Sequence, residues 1–159
     1  VMSNEHIHAD QAPEPVGAYP HARRVGNLLF LSGVGPRQRG SKLIPGVTLD
    51  PSGNIESYDI EMQCHAVFRN VKLILEASGA KWDDLVDVTV YLTSMKKDFA
   101  TFNRLYAEYF TGNKPCRTTR RRGYGAFGGG VSEVRGCRTV VFRSVLMLNG
   151  CWAEHQDAA

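Results

Sequence analysis

Two short stretches of this chain carry residue types suited to handling a small anion. The first is Pro115-Cys116-Arg117-Thr118-Thr119. An arginine flanked by threonine hydroxyls offers a fork of N–H donors that matches a carboxylate, held by two parallel bonds. A surface salt bridge is the competing use of the same residues. The second stretch, Gly33-Val34-Gly35-Pro36, closes an apolar run. Such a turn either aims backbone N–H groups at a ligand or simply ends a strand. The five histidines, His6, His8, His21, His65 and His155, show no metal-ligand spacing and read as solvated or structural. The four cysteines, Cys64, Cys116, Cys137 and Cys151, form no C-x-x-C pair. No P-loop, dinucleotide fingerprint, H-E-x-x-H, nucleophile elbow or EF-hand is present.

Elements must position these residues, and the hydropathy pattern supplies them. Residues 1–15 are polar with Pro13 and Pro15, which reads as a loose lead-in. Asn27–Val34 is a short apolar run between Gly26 and Gly35-Pro36, a buried strand. Arg37–Ser57 is a long loop with room for a small hairpin turning at Pro51-Ser52-Gly53-Asn54. From Asp59 to Ser78, Ile60, Cys64, Val67, Phe68, Val71, Ile74 and Leu75 recur at steps of three and four. That predicts a helix capped by Asp59 and stopped by Gly79. Val86, Val88, Val90 and Leu92 alternate with polar residues, a strand with one buried face. Asp98–Phe110 predicts a second helix with Phe99, Phe102, Leu105, Tyr106, Tyr109 and Phe110 inward and Asp98 as its cap. Thr139–Leu148 reads as a last strand, leaving 149–159 as a tail. Two helices on one sheet make an α+β domain over 16–148.

The 159 residues, 43% hydrophobic, suffice for one buried core. No run of about 18 apolar residues spans a membrane, and the start has no secretory pattern, so reduced thiols and a cytoplasmic location are expected. The net charge of +3 conceals an asymmetry. Residues 1–113 hold 11 Lys and Arg against 13 Asp and Glu, whereas 114–143 hold eight against Glu133 alone. A basic block at one end suits a nucleic-acid-binding arm.

Several pieces, in order, resemble the RidA/YjgF family of reactive-intermediate (enamine/imine) deaminases. They are Val16-Gly17-Ala18-Tyr19, Gly26–Gly33, Asn70-Val71, Asp87–Leu92, Phe99–Asn103 and Pro115-Cys116-Arg117. Together they span residues 16–119. Within the family, Gly17–Arg24, Ile44–Thr48 and Leu105–Phe110 are most similar to the branch acting on 2-aminomuconate. The resemblance implies a chorismate-mutase-like α+β fold, a mixed sheet with two helices on one face. It also implies a homotrimer with sites between subunits, and neither metal nor organic cofactor.

By resemblance, Arg117 binds the substrate carboxylate, Ser32 and Gly33 orient it, and Tyr19 and Asn103 position water or nitrogen. Thr119 stands where many members have cysteine. Glu133 lies near the expected water-activating glutamate. Arg23, Arg37 and His21 are open candidates for a second carboxylate. Partners are then a small dicarboxylic enamine or imine and further copies of the chain. Neither membrane nor nucleic acid is expected.

The resemblance stops where the charge changes. After Thr119 the family continues with a V-E-V-type strand, whereas this chain reads Arg120-Arg121-Arg122-Gly123-Tyr124-Gly125-Ala126-Phe127 and a glycine run. Arg121–Phe127 can be encoded so that a frame one base later reads V-E-V-T-A-L. The hypothesis is therefore a shifted reading frame beyond Arg120. Sequencing the coding DNA decides it, and it fails if no neighbouring frame restores that strand.

Overall fold

The computed structural model describes residues 4–41 and 43–121, and the backbone of 141–147. Its main sheet has six strands in the order β1-β2-β3-β8-β6-β7. They are β1 (Asn4–Ile7), β2 (Ala22–Val25), β3 (Leu28–Leu31), β6 (Leu85–Leu92), β7 (Cys116–Arg121) and β8 (Val141–Met147). All pairings are antiparallel except β6 with β7. The expected small hairpin is present as β4 (Val47–Leu49) and β5 (Ile55–Tyr58).

Helix α1 (Ile60–Ala77) forms as the periodicity predicts. The Asp59 carboxylate accepts from the Glu61 and Met62 amides, which satisfies two orphan donors of the first turn. Gly79 takes a positive φ of 67° just beyond its end. The stripe from Cys64 to Leu75 is buried against the sheet together with Leu29, Leu31, Val88, Val90 and Leu92. Burial pushes the Cys64 thiol up to about 12, so it packs as a small apolar group.

Helix α2 (Met95–Tyr109) begins three residues earlier than expected, with Ser94 at its N-cap position. Asp98 is therefore not a cap. It is buried, and both carboxylate oxygens accept from the Tyr58 hydroxyl at 2.9 and 3.1 Å. Burial raises its pKa above the ordinary 3.8. A carboxyl raised in the folded state makes stability fall as pH rises from the unfolded value through the folded one. Asp98→Asn keeps an acceptor for Tyr58 and removes this titration. Thermal unfolding of wild type should therefore weaken relative to this variant as pH rises through that window. Parallel curves would refute the assignment.

The alternating strand also departs from expectation at one point. Pairing of β6 with β8 shifts between Leu85 and Asp87, a bulge. The extra residue turns Val86 outward, 42% exposed, while Leu85 is fully buried. The lead-in is not loose along its length either. Asn4–Ile7 pairs with β2, and Ala9 and Ala12 are buried. The cause is His21, whose Nδ1 accepts from the Ala9 amide and whose Nε2 bonds the Pro13 carbonyl, each at 2.9 Å. Both helices cover one face of the sheet. The opposite face carries Arg23, Val25, Leu28 and Phe30 on β2 and β3, and Thr89 and Tyr91 on β6. Phe30 is 41% exposed there. Among the described residues no helix is long and apolar enough to cross a membrane.

Candidate functional site

The arginine motif lies on β7 at the edge of the sheet. In the parallel register Arg117 pairs with Val88 and Thr119 with Val90, so both face the side covered by α2. Phe102, Asn103 and Tyr106, at helical spacing on α2, lie over the arginine. The Arg117 Nη2 donates to Asn103 Oδ1 at 2.9 Å. Its guanidinium carbon stands 4.5 Å from the Tyr106 ring centre and 5.7 Å from that of Phe102. An aromatic face holds a guanidinium by its π charge and leaves the planar fork free to meet a carboxylate. The Tyr106 hydroxyl and Thr119 Oγ1 are buried and have no hydrogen-bond partner among the described residues. Burial pushes the tyrosine up to about 12, so it stays a neutral phenol. An arginine with donors to spare can receive an oxygen-rich anion, and the two hydroxyls lie buried beside it.

Tyr106, whose ring lies under Arg117, is the candidate site residue that its sequence pattern did not single out. The helical period counts it as core; it is partly buried against the core, and the same spacing places its ring under Arg117.

The glycine turn builds a second feature. A small cleft of about 40 Å³ opens beside the exit of β3, lined by Tyr19, His21, Ser32, Gly33, Gly35 and Arg37 among others. Ser32 Oγ donates to the Pro20 carbonyl at 2.6 Å and its amide to the His21 carbonyl at 2.9 Å, which ties the Tyr19 loop to the strand exit. Asn70, buried on α1, donates from Nδ2 to the carbonyls of Gly35 and Arg37 at 2.9 and 2.8 Å. The long helix therefore fixes the turn beyond β3.

The structure thus gathers Arg117, Asn103 and Thr119 in one place and Tyr19, Ser32 and Gly33 in another. Between them, β3 and β7 are separated by β8 and β6, three strand spacings or about 14 Å. Within one chain the two groups of candidate residues stand apart. Glu133 lies outside the described residues. Among the described residues there is no group of three or more side chains suited to a metal ion.

Comparison with known proteins agrees with this architecture. The family described as Endoribonuclease L-PSP matches residues 9–121. A RutC family protein of Pyrococcus abyssi is 41% identical over 117 residues, 73% of this chain and 82% of its own length. The chain belongs to the RidA/YjgF family. A further RidA/YjgF relative, Reactive Intermediate Deaminase A of Arabidopsis thaliana (chloroplastic), is 36% identical over 118 residues. That match spans 74% of this chain and 57% of the plant protein. Among solved structures, the yeast protein YEO7 has a TM-score of 0.73 at 27% identity, covering 92% of this chain and 99% of that one. The YjgF gene product of E. coli has a TM-score of 0.70 at 25% identity, covering 90% and 98%.

Proposed function

We propose that this chain is a cofactor-independent hydrolytic deaminase of enamine and imine acids. Its substrate in this reading is 2-aminomuconate, converted to 4-oxalocrotonate and ammonia in the cytoplasm. The observation that carries the reading is the Arg117 guanidinium, held face-on by Tyr106 and from the side by Asn103, beside the unspent Thr119 hydroxyl. A deaminase named for reactive intermediates among the relatives supports the reaction class.

The chemistry needs little more than positioning. The enamine takes a proton on carbon and becomes the imine. Water adds to the C=N carbon, giving a carbinolamine, and a proton moves from oxygen to nitrogen. The C–N bond then breaks, ammonia leaves and the carbonyl of a 2-oxo acid remains. Arg117 holds the carboxylate next to that carbon. Ser32 and the Gly33 backbone orient it from the other half-site, and Tyr19 and Asn103 place the water or the nitrogen. Glu133 is proposed as the base that activates the water.

The same arrangement supports an assembly. Two groups about 14 Å apart in one chain would form one site if a second copy brought its own group alongside. The uncovered sheet face, with Val25 and Phe30 exposed, offers apolar surface for that contact. The proposed assembly is the family's homotrimer.

The test is ammonia release from freshly generated 2-aminomuconate, compared with a monocarboxylic imino acid such as 2-iminopropionate. The expected result is acceleration of both, with 2-aminomuconate preferred. Acceleration of the monocarboxylate alone would replace this reading with a general 2-imino acid deaminase.

A further inference from the structure

We infer that Arg37 receives the second carboxylate of the substrate, so that the site selects acids carrying an anionic group at each end. This deepens the deaminase reading and rests on it. Three cationic side chains lie near the β2–β3 half-site, and their surroundings separate them. His21 has spent both ring nitrogens on the Ala9 amide and the Pro13 carbonyl, so neither is left for a ligand. Arg23 points to the uncovered sheet face, where its Nε donates to Asn4 Oδ1 at 3.0 Å. Arg37 lines the same cleft as Tyr19, Ser32 and Gly33.

Arg37 is also the one arginine or lysine among the described residues of that lining. Its Nη2 donates to the neutral Glu14 carbonyl at 2.7 Å. The Glu14 carboxylate is turned to Arg39 instead, 3.6 Å from Nη2. Among the described residues no carboxylate pairs with Arg37 within 4 Å, so its guanidinium keeps its charge unpaired beside the cleft. Such a charge, with donors to spare, is a receptor for an anion. It is also held in place at both ends. Buried Asn70 grips its backbone carbonyl and the Glu14 carbonyl grips its guanidinium, so little ordering is left for binding to impose. In the assembled site Arg117 of one copy and Arg37 of the next would hold opposite ends of one extended dicarboxylate.

The test compares wild type, Arg37→Gln and Arg37→Lys, each as the full chain, on 2-aminomuconate and 2-iminopropionate. Muconate and sorbate serve as unreactive dicarboxylic and monocarboxylic inhibitors. Loss of one charge-assisted contact should lower the kcat/KM ratio of dicarboxylate to monocarboxylate about tenfold or more in Arg37→Gln, chiefly through KM. Muconate inhibition should weaken by about tenfold, sorbate inhibition by much less, and Arg37→Lys should recover part of the loss. A wild type that turns over both substrates while Arg37→Gln keeps the wild-type ratio overturns this inference alone. A wild type that turns over neither overturns the deaminase reading and this one with it.

Discussion

Arg117→Ala is expected to lower kcat/KM for 2-aminomuconate by about 10²–10³-fold, because truncating one partner of a charged, hydrogen-bonded pair removes roughly 3–4 kcal/mol. The loss should appear on every carboxylate-bearing imine, since in the proposed function this arginine meets the carboxylate next to the reacting carbon. Stability should change little. Among the described residues the only hydrogen bond Arg117 makes is to exposed Asn103, and surface contacts of that kind contribute little. Arg117→Lys keeps the charge and loses the planar fork and its stacking on Tyr106, so it should fall between the two. Tyr106→Leu removes the π face and leaves a smaller apolar side chain, and a raised KM in a variant that still unfolds cooperatively would locate its role under the guanidinium. Full activity in Arg117→Ala, measured by ammonia release at saturating and limiting substrate, would remove the carboxylate receptor from the account.

Phe30→Glu is expected to turn the assembly into single chains of 17.6 kDa and to abolish deamination at assay concentrations. Phe30 lies on the uncovered sheet face, 41% exposed, directly opposite Arg23 on β2. In a free chain the new carboxylate stays in water and has Arg23 as a cross-strand partner, so the fold is spared. In an assembly the same charge must leave water, at a cost of several kcal/mol unless it is well paired. Light scattering measures the mass, and circular dichroism checks that the fold survives. An active, wild-type-sized Phe30→Glu protein would place the subunit contact elsewhere and leave the joining of the half-sites unexplained.

Much of this was legible in the residues, and the exceptions have physical causes. Helix α1 carries both signals that a sequence can display, an apolar stripe and an Asp59 cap, and it forms as expected. Helix α2 has an apolar stripe, but its acidic residue near the start is a false cap. Asp98 is spent on Tyr58, 40 residues earlier in the chain, and only the tertiary fold brings the two together. The bulge at Val86 is invisible for a similar reason, since it depends on register with β8. The lead-in has the composition of a loop, but its order comes from the two bonds of His21.

At the site, motif order named Arg117, Asn103, Thr119, Tyr19, Ser32 and Gly33. It could not show that they fall into two groups. That follows from strand order, in which neighbours in sequence are not neighbours in the sheet. It also left Arg23, Arg37 and His21 equal, because residue type alone does not reveal what each side chain has already spent.

The central claim is that one working site is made from halves of two chains, and subunit mixing tests it most directly. Arg117→Ala disables the β7 half. Gly33→Glu places an anion in the cleft of the β3 half, where Gly33 is exposed. Each variant alone should release ammonia from 2-aminomuconate at no more than background rate. Co-refolded in equal amounts, random assembly in a ring puts two intact halves together at about a quarter of the sites, so about a quarter of wild-type activity should return. A mixture no more active than its separate components would contradict a site shared between chains.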